Sequence, residues 1–386
     1  MGAPGRTGGW RCAGAPGRGN DGGRPLTTTI AGPTGRAWAR RVRPTGYRTV
    51  RLRSVSLLVH GRTLLVATVL LLALAAGCVA NLSLGESTVP PLEAIRSVLG
   101  LTDEHDFVIG VLRLPRLTVA LLVGAALAVA GGLIQTVARN PLASPDIIGV
   151  SQGAAAVAVI AMTYGLASTT VLPYWAIAGG LTAAALVYLF AWRGGLHAAR
   201  FVLVGIGFAI ALRSITQLFL TKGDHTVAQQ ATVWMTGSFN GRGYAEAEPL
   251  AWALLAVVPA VLWAARAQRT VTLDDDTATA LGVRLNATRV GLASVGVLLA
   301  ALATGTAGPV DFVALLSPQI ARRLTGTAQI PLLTTALVGA LLTVLADLLA
   351  RLLFAPTELP AGVVTAAIGA PYLLWLILKN RTGGRA

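Results

Sequence analysis

LTVALLVGAALAVAGGLIQTVA, residues 117–138, carries no charged side chain. Wound as an α-helix it reaches about 33 Å, enough to cross the hydrocarbon of a bilayer. Arg113 and Arg116 stand before it and Arg139 directly after it. Uncharged stretches of similar kind recur at 63–85, 249–265, 290–310, 324–346 and 359–378. Residues 147–192 are long enough for two helices with a break near 164–173, and 201–221 makes another span interrupted only by Arg213. Residues 312–324 read as a short or broken helix. The pattern predicts an all-α membrane protein of about ten transmembrane helices.

Composition points the same way. Apolar residues make up 54% of the chain and charged ones 12%, far below the share of about 25% usual in soluble domains. The formal net charge of +15 does not imply nucleic acid, because 12 of the 31 Lys and Arg fall before Thr63 in a Gly/Arg/Pro-rich tail and most others in short loops. That tail, residues 1–55, shows no apolar periodicity and is expected to be a disordered cytoplasmic segment ahead of a membrane domain at 56–380, with a short cytoplasmic end at 381–386. Alternating the spans from an inside N-terminus places Arg139, Arg266, Arg269, Arg284, Arg289, Arg322 and Arg323 inside. It places Arg96, Arg113, Arg116, Arg242, Arg351 and most acids outside. The positive-inside rule therefore predicts both termini in the cytoplasm.

Several chemistries are excluded or unsupported. Cys12 and Cys78 cannot make a disulfide framework, and no two of the four histidines have helical ligand spacing, so neither a metal site nor a cofactor is expected. No Walker-type lysine loop occurs, so a nucleotide driving any transport must bind another chain. An intramembrane enzyme would need a GxSG or HExxH motif or paired buried aspartates, none of which the spans show. An ion-gradient carrier would need buried carboxylates near mid-membrane, and Asp347 is the acid read as lying well inside a span. Gly124, Ala128, Gly131 and Gly132 sit at the small-residue spacing that lets membrane helices approach closely.

Four longer motifs narrow the function. RLPR and the following residues 117–155, LGVRLNATR at 281–289, AGPVDFVALLSPQIARRL at 307–324 and APTELPAGVVTAAIGAPYLLWLIL at 355–378 occur in the order seen in FecCD-type permeases, and the chain resembles that family from about residue 63 to 379. The resemblance implies a permease subunit in the cytoplasmic membrane that serves an ATP-binding-cassette importer of iron-siderophore complexes, vitamin B12 or haem. Pro318-Gln319-Ile320, in place of the Pro-His-Ile of many relatives, together with TGSFNGRGY at 236–244, resembles the siderophore branch related to ferric enterobactin permeases. The implied partners are an ATPase subunit, an extracytoplasmic siderophore-binding protein, a second permease chain (identical or paralogous) and membrane lipid.

The resemblance also implies roles for particular residues. Arg113, Arg116 and Arg351 would pair with carboxylates of the binding protein, for which the guanidinium fork is suited. Otherwise they snorkel to lipid headgroups. Asn140, Pro141 and Leu142 would form part of the cytoplasmic gate, facing a loop around His197–Ala199, or simply end a helix. Residues 278–286, with Ala278, Leu281, Gly282 and Val283, would form short helices that enter a cleft of the ATPase. Asp274, Asp275 and Asp276 before them complement a helix N-terminus. Arg213, with Gln217 one turn further, would line the translocation path or snorkel.

Overall fold

The computed structural model describes residues 47–52, 55–85, 87–168, 170–192, 198–355 and 357–382. The tail expectation for residues 1–46 and the gate partner at His197 lie outside the described residues; Ala199 falls in the first turn of a helix. Residues 47–52 correct the expectation of an irregular tail to 55. They form strand β1 (Tyr47–Leu52), paired antiparallel with β2 (Val55–His60), Tyr47 opposite His60 and Leu52 opposite Val55. Tyr47, Thr49, Val50, Val55 and Val59 favour that conformation, and the interleaved arginines had masked the period.

Thirteen α-helices follow among the described residues. They are α1 (Gly61–Ser83), α2 (Pro91–Val98), α3 (Leu114–Ala138, entered through a π-helical stretch Phe107–Arg113), α4 (Val150–Thr163), α5 (Leu172–Ala191), α6 (Ala198–Lys222) and α7 (His225–Met235). Then come α8 (Tyr244–Val271), α9 (Asp275–Ala280), α10 (Leu285–Ala307), α11 (Val313–Thr325), α12 (Leu332–Leu352) and α13 (Ala361–Thr382). Seven stretches, those of α1, α3, α5, α6, α8, α10 and α12, are long and apolar enough to cross a membrane, and α4 and α13 are shorter apolar helices. With the short α11, every stretch read as a span from the sequence holds a helix, and the break expected near 164–173 is the α4–α5 connection. The chain is a multi-pass membrane protein.

The core is centred on α3, which packs against α12, α10, α11 and α8. Its small residues make this possible. A Cβ on Gly124 would meet the Gly339 carbonyl oxygen of α12 at 2.5 Å, and Gly131 lies directly against the Ala314 backbone of α11. Such approach replaces the hydrophobic drive that lipid does not supply. The windows of α6 and α8, by contrast, are mostly uncovered, with Leu203, Ile206, Ile210 and Leu218 of α6 facing outward. Gly131→Val should therefore separate α3 from α11 and remove most of the monodisperse protein on size-exclusion chromatography in detergent. Gly207→Val, where no atom lies within 4 Å of the added Cβ, should leave the profile unchanged.

Candidate functional site

Helix α3 carries an arginine cluster at one end and the Asn140 segment at the other, about 37 Å apart at 1.5 Å per residue. At the first end the three motif arginines are not surface groups: Arg113, Arg116 and Arg351 are 7%, 8% and 9% exposed. Arg116 donates from Nε and Nη2 to Asp347 Oδ1 at 2.9 and 2.8 Å, and from Nη1 to Glu358 Oε2 at 2.9 Å. Asn81 Nδ2 donates to the other Asp347 oxygen at 3.3 Å, and Arg351 Nη2 donates to Asn81 Oδ1 at 2.7 Å and to its carbonyl at 2.9 Å. Arg351 Nε stands 3.7 Å from Asp347, one helical turn earlier. Arg113 donates to the carbonyls of Leu82 and Ser87 at 2.6 and 2.5 Å. The network ties α1, α3, α12 and the segment before α13 together. All three guanidinium groups are turned onto partners in their own chain.

A cleft of about 470 Å³ opens beside this network. Arg113, Arg116, Arg242, Arg351 and Glu358 supply its charged lining, together with Ser87, Asn240, Gly241 and Gly243. Among the described residues lining it, four cations face one carboxylate. Arg242 belongs to the connection between α7 and α8. Burial lowers its pKa from the ordinary value, and the Glu246 charge opposes that.

At the other end, Arg139 closes α3 in the left-handed conformation (φ 48°). Leu142 N–H donates to Asn140 Oδ1 at 2.9 Å, which fixes the turn holding Asn140, Pro141 and Leu142. Gln319, buried in α11, donates to Gln135 Oε1 at 2.6 Å and approaches the Pro141 carbonyl at 3.4 Å, while Gln135 donates to the Leu315 carbonyl at 3.0 Å. A second cleft of about 210 Å³, lined by Arg139, Asn140, Pro141, Gln319 and Arg322, adjoins this segment.

The expected coupling segment reaches the same end. Arg139 Nη2 donates to the carbonyls of Val271 and Leu273 at 3.1 and 2.8 Å and to Asp275 Oδ1 at 2.5 Å; Arg289 Nη2 reaches the same oxygen at 2.7 Å. The hydrogen bond from Arg289, then that from Arg139, holds the Asp275 carboxyl below the usual range. Helicity across 278–286 is corrected: α9 ends at Ala280, Gly282 has φ +78°, and α10 begins at Leu285. Ala278 is buried, whereas Leu281 projects, 68% exposed, from the turn with Gly282 and Val283. Only glycine takes that φ without strain, which ends the helix and turns Leu281 outward.

Arg213 and Gln217 lie on the exposed face of α6, and neither has a side-chain hydrogen bond or ion pair among the described residues. Sequence reasoning missed Arg242, the Asp347 partnership and two acids in the connections between spans. The four-residue spacing of Asp347 and Arg351 could have revealed the second of these. Asp146 accepts from Ser151 Oγ just before α4, and Asp311 stands before α11, open at the surface of the chain. Helix α11 has 13 residues, so Asp311 sits about 20 Å from the far end of that helix.

Residues 71–379 match the FecCD transport family. The ferric enterobactin transport system permease protein FepG of Escherichia coli (strain K12) is 41% identical over 69% of this chain and 81% of its own. The achromobactin transport system permease protein CbrC of Dickeya dadantii (strain 3937) is 40% identical over 85% of this chain and 94% of its own. The structure of a transporter assigned to the metal-chelate ABC type, in an inward-facing conformation, superposes with a TM-score of 0.72 at 29% identity, covering 82% of this chain and 99% of that one. Helix order, the motifs at both ends of α3 and these matches agree, and the chain belongs to the FecCD transport family.

Proposed function

We propose that the chain is the permease subunit of an ATP-driven importer that carries iron(III)-siderophore complexes across the cytoplasmic membrane, with both termini inside. The observation that carries this reading is the Leu281–Val283 turn, which projects from the protein yet is tied through Asp275 and Arg139 to the segment 140–142. A chain that offers a lever on its gate and has no nucleotide loop of its own needs a separate motor. An ABC ATPase would grip Leu281, Gly282 and Val283. A binding protein would deliver its cargo at the Arg113, Arg116 and Arg351 end. A second permease chain, identical or paralogous, would cover the open face of α6 and enclose a path past Arg213 and Gln217. The names of FepG and CbrC favour a ferric siderophore over vitamin B12 or haem as cargo.

Uptake of radiolabelled ferric siderophores by cells lacking this chain tests the reading, and restoring the chain should restore uptake. Gly282→Trp should reduce co-purification of the ATPase while leaving the permease monodisperse; an unchanged complex with full uptake removes this turn from the interface. Asp146 and Asp311, acids in the connections that precede α4 and α11, favour a second reading, a carrier driven by an ion gradient, since carboxylates among the helices serve such carriers. On that reading uptake follows the gradient and ignores ATP.

A further inference from the structure

The hairpin β1–β2 precedes residues 71–379, the part of the chain that matches the family, and the permease reading gives it no task. Its register runs unbroken from Tyr47 opposite His60 to Leu52 opposite Val55. Opposed residues share a face, and neighbours along a strand alternate between faces. One face therefore takes the positions of Val50, Leu52, Val55, Leu57 and Val59, with Arg48 at the end nearest α1. The other takes those of Tyr47, Thr49, Arg51, Ser56 and His60, with Leu58 the apolar exception. The ribbon is amphipathic.

A ribbon of this size is marginal in water by itself and needs a third strand or an apolar surface to pack on. The described residues supply no third strand, and α1 is the principal neighbour of β2. What else adjoins the hairpin follows from its connection. β2 ends at His60, and α1, long and apolar enough to cross a membrane, begins at Gly61. His60 Nδ1 lies 3.1 Å from Thr63 Oγ1, which ties the last strand residue to the first turn of α1. Arg62 Nε donates to the Leu324 carbonyl at 2.9 Å and holds that turn against the Arg322–Arg323 end of α11. Leu64 and Leu65 are already 60% and 65% exposed, so the outward apolar surface of α1 starts about 5 Å beyond the strand.

The hairpin, about 20 Å long, thus stands at headgroup level. There water can satisfy the outer edges of both strands, as hydrocarbon could not, while the apolar face gains by leaving water. Arg48, Arg51 and Arg62 bring positive charge to the same level, and guanidinium forks suit phosphate oxygens.

We propose that the hairpin β1–β2 is a membrane-surface anchor. It lays its apolar face into the leaflet at the start of α1 and takes anionic phospholipid as its ligand, with Arg48 and Arg51 meeting the phosphates. On the topology proposed above this is the cytoplasmic leaflet. The anchor rests on the membrane-spanning fold and is independent of cargo and energy source.

The test uses the full chain with Cys12→Ser and Cys78→Ser, carrying Leu57→Cys or Ser56→Cys labelled with the environment-sensitive fluorophore NBD. It is placed in nanodiscs of phosphatidylcholine with or without phosphatidylglycerol. With phosphatidylglycerol present, emission from the Leu57 label should shift to the blue, and nitroxide-labelled acyl chains should quench it about threefold more than the Ser56 label. Omitting phosphatidylglycerol, raising the salt, or combining Arg48→Gln with Arg51→Gln should each shrink that difference. Val50→Glu should remove it in both lipids. Melting temperatures equal to the parent's separate lost anchoring from misfolding, and the lipid and salt comparisons need no arginine variant. Equal quenching of the two labels overturns the anchor. A Leu57 preference that ignores phosphatidylglycerol and salt overturns the assignment of anionic lipid. A Leu57 shift that requires added ATPase subunit and no particular lipid would make the face a protein contact and overturn the proposal as well.

Discussion

Replacing Arg116 with glutamate should abolish the folded permease, and any loss of docking should be secondary to that. Its guanidinium is buried against Asp347 with two hydrogen bonds and against Glu358 with a third. Removing one member of a buried pair leaves the other charge uncompensated, which costs about 3–5 kcal/mol, and glutamate adds repulsion to that loss. An exposed docking arginine would cost roughly 0–1 kcal/mol to change. Fluorescence-detected size-exclusion chromatography after heating should show Arg116→Glu and Asp347→Arg aggregated or absent. The swapped pair Arg116→Asp with Asp347→Arg should recover part of the folded fraction. Arg116→Met with Asp347→Leu should lie nearer wild type than either charge-reversed single variant, because a buried pair is often replaceable by apolar residues. An Arg116→Glu permease with wild-type melting would place that side chain at the surface after all.

The second large effect concerns the other end of α3. Arg139 joins the gate segment to the coupling turn through Asp275, and Arg289 braces the same carboxylate. Arg139→Gln should leave ATP hydrolysis by the assembled transporter within about twofold of wild type while siderophore uptake falls about tenfold or more, as expected when a coupling free energy near 1.4 kcal/mol is removed. Asp275→Asn should do the same, and a double variant should add little, since both act on one linkage. The pairing depresses the Asp275 pKa, so the linkage is complete above the ordinary carboxylate value of about 4 and is lost only as pH falls through the lower folded value. Coupling should therefore be flat across neutral pH. Equal losses of hydrolysis and uptake would mean that Arg139 merely holds the fold.

The helices were legible because lipid imposes a simple demand: an uncharged run of about 20 residues has few alternatives to a helix. The Thr63, Leu117 and Val290 runs all hold the helices their composition requires. The ends were less legible, because composition does not show where a side chain points. Arg116 and Arg351 carry a motif that reads as outward-facing charge, yet Asp347, distant in sequence from Arg116, folds both inward. Arg242 lies in a Gly-rich loop with no periodicity, and its place in the cleft exists only once α7, α8 and the Ala307 carbonyl are brought together. Asp146 and Asp311 escaped notice for a related reason. They lie in breaks between helices, where a search for charges within spans does not look. Short helices α2, α7 and α9 lack the length that makes an apolar run decisive.

The most direct measurement is uptake of a radiolabelled ferric siderophore into proteoliposomes holding the permease, its ATPase and the binding protein outside. ATP sealed inside should drive accumulation, which should vanish without the binding protein and with an ATPase unable to hydrolyse, and should persist when ionophores collapse every ion gradient. Accumulation that follows an imposed proton or sodium gradient and ignores internal ATP would contradict an ATP-driven permease and point instead to Asp146 and Asp311 as the coupling groups.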